Sequence, residues 1–421
     1  MSFKTISVIG LGYIGLPTAA MFASRKVNVI GVDVNKHAVD TINQGRIHIV
    51  EPELDMLVHA AVTEGYLRAV MIPEPADAFL IAVPTPFLPC AEGEIPAPDL
   101  TYIESACRGI APVLKKGDLV ILESTSPVGA TEQVAEWLAA ARPDLSFPQT
   151  VADAADINVA HCPERVLPGH VVRELVQNDR VIGGISATCS NRSVELYKIF
   201  VEGDCIITNA RTAEMAKLTE NSSRDVQIAF ANELSMICDK LDINVWELIS
   251  LANRHPRVNI LQPGPGVGGH CIAVDPWFIV SKTPAEARLT HMARVVNDSK
   301  PDWVIEKVKI AIADFLQANP EKTTKDITIA CYGLAFKPDI DDLRESPALH
   351  IAKRISQIHN GTVITVEPNI SVLPEFLCNL ELVSTESALK CADIHLMLVD
   401  HAEFKTLNVS SGIIVDTKGI W

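Results

Sequence analysis

The chain has 421 residues, 48% of them hydrophobic and 21% charged, and its 36 basic and 52 acidic residues give a formal net charge of −16. That length allows two or three domains with real cores, and that charge counts against nucleic acid or an anionic membrane as partner while allowing an anionic small molecule held by local cations. The start Met1-Ser2-Phe3-Lys4 shows no signal-peptide pattern, no apolar run reaches the roughly 18 residues of a membrane helix, and the ten cysteines lack CxxC spacing.

The expectation is therefore a cytoplasmic protein with reduced thiols, in which Cys107, Cys238, Cys331 and Cys391 read as core residues. Nothing in the pattern of ligating side chains suggests a metal site.

The first element is an apolar β-branched strand, Ile6 to Ile9. It enters Gly10-Leu11-Gly12-Tyr13-Ile14-Gly15, and a helix follows from Leu16. A second strand, Val29 to Asp33, ends in a carboxylate 18 residues after Gly15. A GxGxxG run alone is weak. Between a strand and a helix, with an acid at that distance, it points to a dinucleotide site. Gly10 permits the tight turn, Gly12 lets a pyrophosphate approach the backbone, and Gly15 lets helix and strand pack closely. Asp33 can accept from both ribose hydroxyls of NAD and would repel the 2′-phosphate of NADP. Its bland alternative is a solvated acid at a strand end.

Further strands are expected at Ala78 to Val83, Leu119 to Leu122 and Ile157 to Ala160. Each runs into a polar turn rich in Pro or Gly, where ligands bind a doubly wound sheet. Thr85, Thr125 and Thr131 in those turns offer hydroxyls to a ligand, or equally cap helices.

From Thr212 to Leu241 the pattern is helical, with Met215, Leu218, Val226, Ile228, Phe230, Leu234 and Ile237 expected to face a core. Lys217, Asn221 and Arg224 share one face of that helix. They suit an anionic or oxyanionic ligand, or they are a solvated polar face. His255 and Arg257 form a second basic group that reads as a binding cluster or as surface charge. Gly264-Pro265-Gly266-Val267-Gly268-Gly269-His270-Cys271-Ile272-Ala273-Val274-Asp275 then places one cysteine among four glycines and one proline. Cys271 is either a thiol within reach of a ligand or the buried sulfur of a tight turn.

Leu316 to Asp326 is the linker candidate. Ile327 to Gly333 restarts the strand-and-turn pattern, with further strands at Val363 to Val366, Ile394 to Val399 and Ile413 to Asp416. This second nucleotide-binding-like unit lacks the later glycines of the fingerprint. It carries Lys337 and Arg344 instead, which suit a ligand phosphate better than a second dinucleotide.

Taken together, GLGYIGLP, STSPVG, CPE, AEMAKLTEN, GGHC with Asp275, and GLAFKPDIDDLRES resemble, in order and over essentially the whole chain, the nucleotide-sugar 6-dehydrogenases of the UDP-glucose/GDP-mannose dehydrogenase family. The resemblance implies an α/β fold of two Rossmann-like doubly wound domains joined by a long helical middle domain. The expected boundaries are 1–207 for NAD binding, 208–318 for a catalytic and dimerising middle, and 319–421 for UDP-sugar binding.

It implies an NAD-dependent four-electron oxidation of a sugar C6 alcohol to the carboxylate. Cys271 is then the nucleophile, Lys217 the proton acceptor or donor and, with Asn221, a stabiliser of oxyanions at C6, while Asp275 orients the water or the lysine and Glu164 is a partner in positioning water. Gly10, Gly12, Tyr13, Ile14, Gly15, Asp33, Thr85, Thr125 and Thr131 are the cofactor positions. Arg165, Val166, Lys217, Asn221, Arg224, His255, Arg257, Gly268, Phe336, Lys337, Arg344 and Lys418 match positions around the nucleotide-sugar.

CPERVLPG, NRHPRVN and GPGVGGHCIAVDP are most similar to members that act on UDP-N-acetyl-D-mannosamine. Glucose-type members carry a leucine-arginine-glutamate run and a lysine where this chain has Leu167-Pro168-Gly169 and Val274. Another UDP-sugar (UDP-GlcNAc, UDP-GalNAc or UDP-glucose) is the alternative substrate. A homodimer is the expected assembly. A two-electron hydroxyacid dehydrogenase would need neither Cys271 nor a third domain, and a non-catalytic NAD sensor would have no use for Lys217, Asn221 and Cys271 together.

Overall fold

The computed structural model describes residues 3–421 except Val50, Pro52, Glu92, Leu167, Pro168, His270, Glu375, Phe376, Cys378 and Asn379. Leu167 and Pro168 of the CPERVLPG stretch, and His270 beside the central cysteine, thus lie outside the described residues. Two compact units emerge. One runs to Glu220 and includes Trp277–Thr283; the other holds Asn221–Pro276 and Pro284–Trp421.

The first unit is built on eight strands: β1 (Thr5–Ile9), β2 (Asn28–Val32), β3 (Leu67–Val70), β4 (Ala78–Ile81), β5 (Leu119–Leu122), β6 (Asn158–His161), β7 (Arg180–Gly184) and β8 (Cys205–Asn209). Their order in the sheet is β3-β2-β1-β4-β5-β6-β7-β8. The first six are parallel, and β7 turns the sheet antiparallel to β6. The two middle strands of the sheet, β4 and β5, are apolar at every position because helices cover both faces. Side chains alternate between two cores: Val8, Leu80 and Ile121 enter one, and Ile9, Ile81 and Leu122 the other.

The sheet of the second unit repeats this plan on a smaller scale. Its strands are β9 (Thr328–Tyr332), β10 (Thr362–Val366), β11 (Glu381–Leu382), β12 (Ile394–Met397) and β13 (Ile413–Asp416), ordered β11-β10-β9-β12-β13 and all parallel. Two 31-residue helices, Ala210–Lys240 and Arg288–Ala318, supply the helical middle region.

Several expectations need correction. The proposed linker from Leu316 is partly helix, because the second long helix continues to Ala318 and a 3-10 turn follows at Thr324–Asp326. Met215, Phe230 and Ile237 are exposed rather than core, while Leu218 is buried. The helix is apolar on more than one side, and only one side meets the core. Cys391 is exposed: it is the last residue of the helix Thr385–Cys391, and the chain enters the core one residue later at Ala392. Strands β3, β7 and β8 carry weak signals. Arg68 interrupts β3, and Gly183-Gly184 ends β7 like a turn. A Cβ on Gly184 would lie 2.4 Å from the Ser190 nitrogen, so the glycine answers to helix packing.

Candidate active site

In the first unit the turn after β1 is set by sterics. Gly10 has φ +91°, and a Cβ there would sit 2.6 Å from the Ala82 carbonyl oxygen. A Cβ on Gly15 would sit 1.8 Å from the Gly10 carbonyl oxygen, so only glycine lets the helix Gly15–Ser24 start against the strand. A Cβ on Gly12 would meet nothing within 4 Å. The helix start has no side-chain cap, which leaves the positive end of its dipole for an anion. Tyr13 and Gly12 are exposed beside it, and Ile14 is half-buried.

Asp33 closes the turn. Its carboxylate accepts from the Leu11 nitrogen at 2.9 Å and the Asn35 nitrogen at 2.8 Å. A carboxylate has about four acceptor sites, so ribose hydroxyls can still donate to it. The turns after β4 and β5 are stitched together by Ser124, whose hydroxyl donates to the Val83 carbonyl at 2.7 Å. Thr85 beside that stitch has a buried hydroxyl with no protein partner, and Thr125 is half-buried. An orphaned hydroxyl, an uncapped helix start and a strand-end carboxylate fit a bound dinucleotide. Thr131 is placed differently. Its hydroxyl donates to Glu214 at 2.6 Å, and Glu214 also accepts from the amides of Thr131 and Gly129, each at 2.7 Å. Sequence reasoning missed Glu214. Its signal was an acid one turn before Lys217 on the same helix, and it caps the helix Ala130–Ala141 from a distance.

Glu164 is buried. Its carboxylate pairs with Arg180 at 2.6 Å and accepts from the Arg165 nitrogen at 2.6 Å. The Tyr197 hydroxyl donates to Glu123 at 2.6 Å, and the other Glu123 oxygen has no partner. Burial pushes the Glu123 carboxyl up to about 7; the nearby Glu164 adds to this and Arg180 opposes it. Arg165 reaches Glu220 through its guanidinium at 2.5 Å. Val166 packs against the core. Lys217 is buried, at 9% exposure.

In the second unit Cys271 is exposed at the end of the glycine-rich loop. Four residues on, Asp275 opens the helix Asp275–Lys282 and donates its backbone N–H to the Cys271 carbonyl at 2.8 Å. The Asp275 side chain is buried and accepts from Asn221 Nδ2 at 2.5 Å. Phe336 stacks under the loop: a Cβ on Gly268 would lie 2.9 Å from Phe336 Cβ and 2.5 Å from the Glu345 carbonyl oxygen. Lys418 Nζ lies 3.6 Å from a Cβ position on Gly264 and 3.0 Å from Asp400. Thus Gly268, Phe336 and Lys418 gather at the cysteine loop. Arg344 clasps Asp342 through two nitrogens at 2.5 to 3.0 Å, and Lys337 is half-buried in the same loop. Arg224, His255 and Arg257 are exposed.

The strand-end acid of this unit, Glu367, is spent. It accepts from the amides of Leu334, Ala335 and Asn369 and from His401 Nε2, at 2.7 to 3.1 Å. Burial works to raise its pKa, but these donors outweigh it and hold the carboxyl below its ordinary value. Sequence reasoning missed His401, a lone histidine after a buried strand.

A dinucleotide turn on one parallel sheet and an accessible thiol loop on a helical support define a dinucleotide-dependent dehydrogenase with a nucleophile. The chain belongs to the UDP-glucose/GDP-mannose dehydrogenase family: the family's NAD binding domain matches residues 4–201, its central domain 211–299 and its UDP binding domain 330–421. It is 67% identical to the UDP-N-acetyl-D-mannosamine dehydrogenase of Yersinia pestis, over 100% of both chains. It is 64% identical to the NDP-N-acetyl-D-galactosaminuronic acid dehydrogenase of Ralstonia nicotianae, over 100% of this chain and 97% of that one. Among solved structures, the UDP-D-ManNAc dehydrogenase of Pyrococcus horikoshii superposes with a TM-score of 0.85 at 38% identity, covering 99% of this chain and 96% of that one. No helix among the described residues is long and apolar enough to cross a membrane.

The buried Glu123 makes a pH-dependent contribution to stability. Its folded pKa lies above its ordinary 4.5, so the folded chain keeps a proton that the unfolded chain gives up. Its contribution therefore weakens as pH rises from about 4.5 through 7. Glu123→Gln keeps an acceptor for Tyr197 and removes the titration. The melting temperature of the variant minus that of the native protein should grow between pH 5 and pH 8. A difference that does not change with pH would show that Glu123 titrates as an exposed acid does.

Proposed function

We propose that this protein oxidises the C6 alcohol of UDP-N-acetyl-D-mannosamine to the carboxylate, reducing two NAD per sugar. The observation that carries the mechanism is the exposed Cys271 thiol on a loop whose buried carboxylate, Asp275, is held by Asn221. The high identity to dehydrogenases named for this sugar supports the substrate.

Bound NAD supplies a hydride acceptor, used twice. Gly10, Gly12, Tyr13, Ile14 and Gly15 would hold its pyrophosphate, Asp33 its ribose, and Thr85, Thr125 and Thr131 line the adjacent turns. Lys217 takes the proton of the C6 hydroxyl as its hydride leaves, which gives the aldehyde. An aldehyde has no hydride to give until a nucleophile adds. The Cys271 sulfur adds to that carbon and the oxygen is protonated, giving a thiohemiacetal. Loss of the second hydride and the hydroxyl proton gives a thioester. Water then attacks, the C–S bond breaks, and the products are the carboxylate and the thiol. The balance is one alcohol, one water and two NAD to one carboxylate, two NADH and three protons.

Asn221 holds Asp275, and Asp275 orients the water or the lysine. Glu164, paired with Arg180, acts by positioning the backbone of Arg165. Arg165, Val166, Arg224, His255, Arg257, Gly268, Phe336, Lys337, Arg344 and Lys418 are the proposed contacts to the nucleotide-sugar. The functional divisions we propose are 1–207, 208–318 and 319–421. A second reading, oxidation of an N-acetylgalactosamine nucleotide, is favoured by the 64% identity to the Ralstonia enzyme.

A homodimer is part of the proposal. Phe230 and Ile237 on one long helix with Leu241 just past its end, and Leu289, Met292 and Val295 on the other, expose apolar surface of the kind that marks an interface. We place the enzyme in the cytoplasm, where NAD is available and thiols stay reduced; cell fractionation decides it.

Three measurements test this reading. With excess NAD and a panel of UDP-sugars, two NADH should form per UDP-N-acetyl-D-mannosamine and few with UDP-glucose, and Cys271→Ser should abolish that turnover while leaving NAD binding unchanged. One NADH per sugar, or full turnover in the variant, removes the covalent mechanism. Asp33→Ser should narrow the NAD over NADP preference at least about tenfold in kcat/KM, since one lost charge and hydrogen bond is worth on the order of 1.4 kcal/mol or more; an unchanged ratio means Asp33 does not face the ribose. Sedimentation equilibrium should give twice the 45.7 kDa chain mass; a single-chain mass at micromolar concentration rejects the dimer.

A further inference from the structure

The cysteine loop is held at both ends by one helix. At its far end Asn221 Nδ2 donates to Asp275. At its near end the Gly264 nitrogen donates to Asn232 Oδ1 at 2.9 Å. Asn221 and Asn232 are eleven residues apart in the helix Ala210–Lys240. Eleven residues make three turns to within about 20°, so both amides project from one face, about 16 Å apart along the axis. The loop between their partners, Gly264 to Asp275, also takes eleven steps, and that length of chain can extend to roughly 36 Å. Tied at two points, the stretch carries the exposed Cys271 between them.

Asn232 itself cannot turn. It is fully buried, its Nδ2 donates to Asn297 Oδ1 at 2.9 Å, and its carbonyl accepts from Ser235 Oγ at 2.6 Å. Asn297 in turn donates to Asp225 at 2.8 Å, and Asp225 is locked by Arg294 at 2.7 Å. Each link is buried, where a missing partner costs the most. A flip of the Asn232 amide would put its NH2 against the Gly264 N–H and its oxygen against the Asn297 oxygen. The network therefore fixes which end of the Asn232 amide meets the loop.

We infer that Asn232 is a positioning residue for the thiol: its buried amide, oriented through Asn297, fixes the near end of the loop that presents Cys271. This rests on the reading of Cys271 as the nucleophile. The first hydride transfer does not use the thiol and the second does, so the two steps separate positioning from general stability.

The test compares native enzyme, Asn232→Ala and Cys271→Ser. In single turnover the first NADH from the UDP-sugar is timed, and oxidation of the supplied UDP-sugar 6-aldehyde is timed separately. In Asn232→Ala, aldehyde oxidation should slow about 10- to 100-fold, as expected for a misplaced reacting group. The first NADH should change less than about threefold, and the KM for NAD should stay within about twofold. Equal slowing of both steps, or of neither, while Cys271→Ser is inactive on the aldehyde, overturns the positioning role alone. A Cys271→Ser enzyme that oxidises the aldehyde at the native rate overturns the nucleophile and the inference together. Should Asn232→Ala fail to fold, Asn297→Ala keeps the Asn232 oxygen but releases its amide. The same selective slowing, smaller in size, is then expected, and native rates on both steps overturn the lock.

Discussion

A glycine-rich loop is a poor place for a nucleophile unless something rigid holds it. Gly266 and Gly268 let the backbone pass close to Phe336 and Pro347, where a Cβ would collide, but the four glycines of the loop also leave the chain more conformations to lose. The long helix supplies the rigidity. It turns two asparagines toward the loop and anchors one of them, Asn232, in a buried network ending on the Asp225–Arg294 pair. Removing one partner of such a pair leaves a buried charge uncompensated, so the network is held as a unit. The placement of Cys271 thus depends on helix geometry, and the loop's composition depends on what must pass next to it.

The two sheets show how one construction serves two ends. In each, a strand-end acid accepts the amides of the turn after the central strand. Asp33 takes one such amide, from Leu11, and stays half-exposed, so it retains acceptor sites for ribose. Glu367 takes two, from Leu334 and Ala335, adds Asn369 and His401, and is buried. Gly10 and Gly333 share the turn, with φ +91° and +89°. What differs is whether the acid is consumed by the protein. The acid of the second turn is therefore saturated by the protein's own donors, where Asp33 of the first is not.

Much of this was legible in the sequence, for physical reasons. Central parallel strands are buried on both faces, so β1, β2, β4, β5, β6 and their counterparts in the second sheet stood out as mostly apolar runs. The glycine fingerprint was readable because each glycine answers to a collision a few residues away. Edge strands were not: β8 has solvent on Ile206 and Ile207, and β3 carries Arg68 outward. Nor was it visible that Phe230 and Ile237 face out, since periodicity reports that a helix has apolar sides and not how many are covered. The partners of the polar residues were least accessible. Glu214 with Thr131, Arg180 with Glu164, and Asn232 with Gly264 are 83, 16 and 32 residues apart in sequence. No local pattern links them, and only the fold brings them together.

Charge explains how so acidic a chain can hold an anionic substrate. Three of the proposed sugar-nucleotide cations already have a carboxylate at hand: Arg165 has Glu220, Arg344 has Asp342 and Lys418 has Asp400. These pairs are part-exposed, and such pairs contribute about 1 kcal/mol or less. They keep long side chains ordered without binding them tightly. A pyrophosphate brings more charge than one carboxylate and accepts a guanidinium at two oxygens, so a cation can exchange its acid for the ligand at small cost. The acid it leaves stays in water and needs no new partner. By contrast Glu164, Asp225, Glu367 and Asp275 are buried with their donors, and none can be released without stranding a charge. The chain thus divides its ion pairs by depth: the shallow ones are free to be traded for substrate, and the deep ones hold the frame in which the trade takes place.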